Sequence, residues 1–217
     1  EGGMGAVYRA EDLQLQRPVA LKFLSAELAA HPDSRQRLLK EARAASRLNH
    51  SNIATIYEVA EGDGTPFIAM ELVNATSLKD LLQRGPLAPT QLLELARQIA
   101  EGLQEAHQAG ILHRDIKPAN IMVDSKSRVK ILDFGLAVVT GRERNAGETE
   151  VNFITRTATQ WSTGGTVPYM SPEQLRGQAT DARGDIFSFG VMLYECLTGR
   201  LPFRGETSVD ILYAILR

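Results

Sequence analysis

The chain has 217 residues, enough to bury a sizeable core in one large domain or in two small lobes. Its hydrophobic content of 43% and its charged content of 23% are ordinary for a globular protein. Lys and Arg total 24 against 26 Asp and Glu, and the resulting net charge of −2 gives no indication of a nucleic-acid partner.

The single cysteine, Cys196, cannot form an internal disulfide, which is typical of a reducing compartment. It lies in an apolar run at 186–197, where a small buried hydrophobe is expected rather than a reactive thiol. This run of about a dozen residues is shorter than the roughly 20 that a bilayer requires, so it predicts a core helix. With no signal peptide at its start, the segment is expected to be cytoplasmic without membrane contact, any anchor of the protein lying outside it.

In the first third of the chain, the pattern predicts a strand, a helix and a second strand at 17–24, 34–48 and 65–73. Because side chains alternate across a strand, Ala20 and Lys22 share one face of the first strand. The helix has Glu41 near its middle, and either Asp33 or Ser34 is its expected N-cap. These elements predict a small strand-rich lobe.

The rest of the chain is mostly helical in pattern. It predicts a long amphipathic helix, two short apolar runs, a second helix and the beginning of a third at 91–108, 121–123, 129–132, 186–197 and 208–217. A polar, Thr-rich tract at 139–165 interrupts this part, and so long a loop in a compact domain is usually functional. We expect an N-lobe with a hinge at 1–73 and a C-lobe at 74–217.

Two blocks in the second half carry the strongest chemical signal. The first reads His-Arg-Asp-Ile-Lys-Pro-Ala-Asn and contains Asp115, Lys117 and Asn120, and the second reads Asp-Phe-Gly and begins at Asp133. An acid, a cation and an amide can orient a hydroxyl beside a nucleotide's phosphates, and Mg²⁺ prefers hard oxygen ligands. A solvated charged turn is the alternative, and it leaves the flanking His113, which we expect to be structural, unexplained.

Glycines open the chain at Gly2, Gly3 and Gly5, just ahead of Val7. Because glycine has no side chain, its backbone amide can approach phosphate oxygens closely. A flexible tail is the alternative for such a start. The phosphate-binding interpretation is favoured by Lys22, which follows Val7 by fifteen residues on a predicted strand.

Lys22 lies in an apolar strand, where a solvent-exposed charged side chain is not expected. A cation there can pair with the α- and β-phosphates of a nucleotide if a carboxylate holds it, and Glu41, nineteen residues on, is the candidate. The alternatives are an ordinary surface lysine and, for Glu41, an i,i+4 pair with Arg37 on an exposed helix face. We predict a Lys22–Glu41 ion pair.

Together these blocks resemble the catalytic domain of a protein kinase, and specifically the bacterial eukaryotic-like (Hanks-type) serine/threonine kinases. The resemblance covers essentially the whole chain and extends to further motifs at 19–22, 165–173, 181–190 and 197–203. Lys117 and Thr166 are similar to the serine/threonine branch rather than to the tyrosine branch. The resemblance implies an α+β fold with a small antiparallel-sheet N-lobe, carrying one main helix, and a larger, mostly helical C-lobe.

The resemblance also implies a role for each site residue. Asp115 would orient the acceptor hydroxyl and accept its proton, and Lys117 would neutralise the γ-phosphate. Asn120 and Asp133 would coordinate Mg²⁺. Together with the Lys22–Glu41 pair, the residues expected to bind ATP are Gly2, Gly3, Gly5, Val7, Ala20, Lys22, the gatekeeper Met70, the hinge residues Glu71 and Val73, and Met122.

The implied activity is transfer of the γ-phosphoryl group of ATP to Ser or Thr hydroxyls of protein substrates. A dimer would allow trans-autophosphorylation. Arg114 is expected to bind a phosphate on the activation loop, and the candidate acceptors are Thr157, Thr159, Ser162 and Thr163. Two rival functions are a nucleotide-binding scaffold without catalysis and a small-molecule phosphotransferase of related fold.

Three features depart from the family pattern. Ser171 stands where the family has Ala, and Gly184 stands where it often has Ser. Asp185, expected to brace the backbone of the catalytic loop at 113–120, is present. The family's first strand and last helices are missing, among them the helices that supply the Arg partner of Glu173. Because a buried unpaired carboxylate is costly, we expect the chain by itself to be poorly stable, which puts its activity in doubt.

Overall fold

The computed structural model describes residues 5–24, 32–62, 65–134 and 166–217. The first part of the chain forms a four-stranded antiparallel sheet, in the order β1-β2-β4-β3, and one helix. Its elements are β1 (Gly5–Asp12), β2 (Arg17–Leu24), α1 (Pro32–Ala45), β3 (Ile56–Gly62) and β4 (Thr65–Glu71). The helix packs on the sheet through Ala42, which is buried against Ala20, Ile68 and Met70.

The second part is mostly helical. Its elements are β5 (Thr76–Ser77), α2 (Leu78–Leu82), α3 (Pro89–Gln108), β6 (Ile121–Val123), β7 (Val129–Ile131), α4 (Pro172–Leu175), α5 (Ala182–Thr198) and α6 (Ser208–Leu216). Short 3-10 turns lie at Pro118–Asn120 and Val167–Tyr169. Strands β5, β6 and β7 form a small antiparallel sheet. The two-lobed α+β fold predicted from the sequence is confirmed.

Two helices begin at residues other than the predicted ones. α1 begins at Pro32, so Asp33 and Ser34 lie inside the helix and are not its caps; proline suits the first turn because the first N–H groups have no helical acceptor. α5 begins at Ala182, four residues before the apolar run, because the Asp181 side chain accepts a hydrogen bond from the Arg183 amide at 2.9 Å. The apolar run alone could not indicate this start.

The segment between α1 and β3 is attached to the C-lobe. The Ala54 amide donates to the Ile131 carbonyl at 2.9 Å, and the Ile131 amide donates to the Asn52 carbonyl at 2.8 Å. Ile53 is buried in the main core of the C-lobe with residues of α3, β6, β7 and α5. Residues on the N-lobe side of the hinge therefore complete the core of the other lobe.

None of the helices in the described ranges combines the length and the apolar content that crossing a bilayer demands.

A buried polar network ties α3 to this junction. Gln98 on α3 accepts hydrogen bonds through Oε1 from Asn52 Nδ2 at 3.1 Å and from the Val129 amide at 2.9 Å. Its Nε2 donates to the Ser127 carbonyl at 2.8 Å and to Glu94. Since buried donors without partners are costly, Gln98 stabilises the packing of three separate segments.

Gln98→Ala is expected to lower the free energy of unfolding by about 1–3 kcal/mol, because the Asn52 amide and the Val129 N–H lose their shared acceptor. The matched control is Gln104→Ala, at an exposed position of the same helix, for which a change within about 0.5 kcal/mol is expected. Urea unfolding of the three proteins measures the difference. Equal effects of the two substitutions would show that the network contributes nothing.

Cys196 is fully buried in α5, as predicted, and burial together with the charge of Glu195 raises the pKa of its thiol to about 12. Because the thiolate is the reactive form, about one molecule in ten thousand would be reactive at pH 8. We expect the folded protein to react with a disulfide reagent such as dithionitrobenzoate at least about a thousandfold more slowly than the urea-unfolded protein. Comparable rates would contradict the burial of this side chain.

Candidate active site

The loop after α3 brings the predicted acid, cation and amide together. Asp115 is 6% exposed, and its Oδ2 lies 2.9 Å from Lys117 Nζ and accepts a hydrogen bond from Asn120 Nδ2 at 3.1 Å. Asn120 Nδ2 also donates to the Asp115 carbonyl, at 2.8 Å. Lys117 Nζ donates to Thr166 Oγ1 at 2.8 Å and so joins this loop to the segment before α4. Four residues that the sequence singled out thus form one polar network.

The hairpin of β6 and β7 returns the chain to Asn120 just before Asp133. The Leu132 amide donates to the Asn120 carbonyl at 2.9 Å, which places Asp133 one residue from this contact. Because Asn120 directs its amide nitrogen at Asp115, its side-chain oxygen is left as an acceptor. An amide oxygen and a carboxylate on adjoining segments are hard ligands of the kind that Mg²⁺ accepts, so these residues fit the predicted metal site.

His113 has the structural role expected of it. The side chain is fully buried, its Nδ1 accepts a hydrogen bond from the Asp115 amide at 3.2 Å, and its Nε2 donates to the Leu132 carbonyl at 2.8 Å. Both ring nitrogens are therefore engaged by the backbone. The ring also packs against Phe134, with centroids 4.7 Å apart.

Asp185 on α5 braces the same loop from below the surface. The carboxylate is 2% exposed and accepts hydrogen bonds from the amides of His113 at 2.8 Å and Arg114 at 2.6 Å, and from His107 Nε2 at 2.8 Å. Burial alone would raise the pKa of Asp185, but these hydrogen bonds and the neighbouring histidines hold the pKa below its usual value. His107 was not anticipated from the sequence.

The nucleotide-binding residues predicted on the sheet share one face of it. Val7 lies opposite Lys22 in the β1–β2 ladder, and Ala20 lies opposite Met70 in the β2–β4 ladder. Directly opposed residues point to the same side, and Ala20 and Lys22 are two apart on β2, so all four side chains lie on the same face. Their contact with a nucleotide stays a prediction.

The other nucleotide-binding predictions lie on separate elements. Glu71 ends β4, Val73 follows it, Met122 lies in β6 and Gly5 begins β1. Gly2 and Gly3 lie outside the described residues, as do the candidate phosphorylation sites Thr157, Thr159, Ser162 and Thr163.

The predicted Lys22–Glu41 pair is not formed within the described residues. Lys22 Nζ instead lies 2.8 Å from Asp133 Oδ2, whereas Glu41 Oε1 lies 3.5 Å from an Arg114 guanidinium nitrogen. The pairing prediction is therefore wrong for this structure, although both residues lie at the site. The physical reason is that each side chain of the expected pair has a different partner of opposite charge within reach, the Asp133 carboxylate for Lys22 and the Arg114 guanidinium for Glu41.

The two departures from the family pattern at 171 and 184 lie against each other. Ser171 is fully buried, and a Cβ on Gly184 would meet Ser171 Oγ at 3.3 Å and Glu173 Oε1 at 3.2 Å. Gly184 thus leaves room for the hydroxyl that Ser171 adds. Glu173 is only half-buried, so the expected cost of a fully buried carboxylate does not apply here.

The contact between Lys130 and Glu71 is also one that the sequence did not indicate. Its Nζ lies 2.8 Å from Glu71 Oε2 and donates to the Ile53 carbonyl at 3.2 Å, while Glu71 Oε2 also accepts from the Thr55 amide. Because Glu71 lies opposite Val19, its side chain points away from the face that carries Lys22. There Glu71 and Lys130 line a cavity of about 550 Å³ beside the hinge.

The fold and this arrangement define a protein kinase domain. The family model described as "Protein kinase domain" matches residues 1–217, and the chain belongs to this family.

Named relatives give the branch of the family. The whole chain is similar to the serine/threonine-protein kinase PknB of Mycolicibacterium smegmatis at 42% identity and to that of Mycobacterium tuberculosis at 40% identity, covering 34% of each. It is 42% identical to a probable serine/threonine-protein kinase of Streptomyces coelicolor, of which it covers 31%. The chain therefore spans about a third of the length of the curated relatives it matches.

We expect Lys130→Met to weaken ATP binding by about threefold to tenfold. The substitution removes a partly exposed ion pair that holds the hinge residue Glu71, and such a pair contributes on the order of 1 kcal/mol to keeping the hinge in its binding conformation. Lys126→Met, at an exposed position of the same hairpin, is the control and should leave the affinity unchanged. Calorimetric titration with ATP in the presence of Mg²⁺ measures both. If Lys130→Met binds ATP as tightly as the control, the contact between Lys130 and Glu71 does not support nucleotide binding at the hinge.

Proposed function

We propose that this chain is the catalytic domain of a serine/threonine protein kinase, which transfers the γ-phosphoryl group of ATP to Ser and Thr hydroxyls of protein substrates. The single observation that carries the proposal is the network of Asp115, Lys117, Asn120 and Thr166, in which one carboxylate oxygen contacts both a cation and an amide. A non-catalytic scaffold has no need to hold these groups together in a nearly buried site.

Asp115 has the central chemical role in this proposal. Its carboxylate would accept a hydrogen bond from the acceptor hydroxyl and take its proton as the oxygen bonds to the γ-phosphorus and the bond from phosphorus to ADP breaks. Lys117, 2.9 Å away, would balance the charge that the phosphoryl oxygens carry during the transfer. Because both side chains are held by neighbours, little reorganisation accompanies the reaction.

Asn120 and Asp133 would hold Mg²⁺ with their side-chain oxygens. The ion, when bound, neutralises phosphate charge. Lys22 is 5% exposed, and its ammonium group pairs with Asp133. It lies on the sheet face shared with Val7, Ala20 and Met70, where it could bind the α- and β-phosphates.

The acceptor class follows from the contact between the catalytic loop and the segment that precedes α4. Lys117, which contacts Asp115, donates a 2.8 Å hydrogen bond to Thr166, and both residues are similar to the serine/threonine branch. The names of the relatives support the same branch. Phosphorylation of the activation loop, with Arg114 as its ligand, and dimerisation for trans-autophosphorylation belong to this proposal, as does a cytoplasmic location, where ATP is supplied.

Asp115→Asn is expected to lower phosphate transfer from ATP to a Ser- or Thr-containing protein by about a hundredfold or more, because the amide cannot accept the proton. Lys22→Met should lower it by a comparable factor. Incorporation of labelled phosphate, with acid hydrolysis to identify the acceptor residue, measures both effects. Glu105→Gln, at an exposed position of α3, is the control.

If Asp115→Asn transfers phosphate at the wild-type rate, Asp115 does not accept the proton of the acceptor hydroxyl. Binding of ATP with no transfer by the wild-type protein to any protein acceptor would favour the scaffold.

A further inference from the structure

Arg114, the residue before Asp115, has an unfavourable backbone conformation. Its φ is +63°, in the left-handed region that residues with a Cβ avoid. Such a conformation persists only where the surroundings hold it, and it determines the direction in which the next residue leaves. Whatever holds Arg114 therefore also orients Asp115.

Two side chains hold the two peptide groups of Arg114. On one side, Asp185 Oδ1 accepts a hydrogen bond from the Arg114 amide at 2.6 Å. On the other side, Gln174 Nε2 donates a hydrogen bond to the Arg114 carbonyl at 2.9 Å. This carbonyl belongs to the peptide unit that enters Asp115, so the Gln174 contact acts directly on the backbone of the proposed base.

The amide of Gln174 can take only one orientation. Gln174 is 7% exposed, and its Oε1 accepts a hydrogen bond from the Ser171 amide at 2.9 Å. The Ser171 N–H can only donate and the Arg114 carbonyl can only accept, so rotating the side-chain amide by half a turn would break both contacts. The capping box of α4 thus aims Nε2 at the catalytic loop.

We propose that Gln174 is a positioning residue for phosphoryl transfer, which holds the Arg114 carbonyl and thereby the Asp115 carboxylate. It also couples the catalytic loop to the segment at 166–173, to which the loop is joined a second time by Lys117 and Thr166. The segment at 166–173 and the base would then move as one unit. This inference rests on the proposed kinase activity.

A purely structural role for Gln174, as part of the helix cap, makes a different prediction, and two substitutions separate the roles. Gln174→Glu keeps an acceptor for the Ser171 amide but presents no donor to the Arg114 carbonyl, because an ionised carboxylate only accepts. Gln174→Met, of similar length, removes both contacts. A purely structural role predicts that Gln174→Met lowers the free energy of unfolding while kcat per folded molecule stays unchanged in both variants. Positioning predicts that both substitutions lower kcat per folded molecule.

The test is steady-state transfer of phosphate from ATP to a Ser-containing peptide, with kcat counted per folded molecule from the stoichiometry of ATP binding. We expect both substitutions to lower kcat roughly tenfold to a hundredfold, as misplaced catalytic groups do, with KM for ATP within about threefold of the wild-type value. Gln178→Glu, at an exposed position four residues on, should leave both constants unchanged.

Several outcomes would overturn the inference. A kcat of Gln174→Glu within about twofold of the wild-type value would do so, as would a loss confined to Gln174→Met or a change in KM for ATP alone. If Gln174→Glu does not fold, Gln174→Met carries the same expectation, and failure of both to fold assigns Gln174 a structural role. A wild-type protein as inactive as Asp115→Asn would reject the proposed function itself, whereas an active wild type with an unchanged Gln174→Glu rejects only the role of Gln174.

Discussion

The catalytic loop depends on one buried carboxylate. Asp185 is 2% exposed, and an ionised group so deeply buried is tolerated only when donors surround it. Two of its donors are the backbone amides of His113 and Arg114, immediately before Asp115. The hydrogen bonds that stabilise the buried charge are thus the same ones that fix the backbone of the loop. The packing of α5 in the core therefore also determines the arrangement of the proposed active site.

The lobes are joined through the strand β7 and the residues that follow it. Ile131 exchanges hydrogen bonds with the segment at 52–54, Lys130 holds Glu71 at the hinge, and Asp133 pairs with Lys22 on the sheet. Two positions of this short strand and one position just after it therefore contact three different parts of the N-lobe. Because Asp133 lies in the C-lobe and Lys22 in the N-lobe, their ion pair depends on how the two lobes are arranged.

Much of the fold could be predicted because its local signals are strong. The alternation at 17–24 and the helical spacing at 91–108 each record a buried face, and the structure has β2 and α3 at these places. The catalytic-loop block also brought Asp115, Lys117 and Asn120 together as expected, since six consecutive positions cannot separate far. The start of α5 was missed because the Asp181 cap, not the apolar pattern, determines it.

The sequence by itself determined the class of the protein, the candidate site residues and the periodicity of the main elements, because these depend on residue type and on spacing along the chain. Only the tertiary structure decided which partner each charged or amide side chain takes. Lys22 meets Asp133 rather than Glu41, and Gln174 reaches the Arg114 carbonyl across sixty positions. Hydrogen bonds and ion pairs act over a few ångströms, so residues far apart in the chain become partners only when the packing of whole elements brings them within reach.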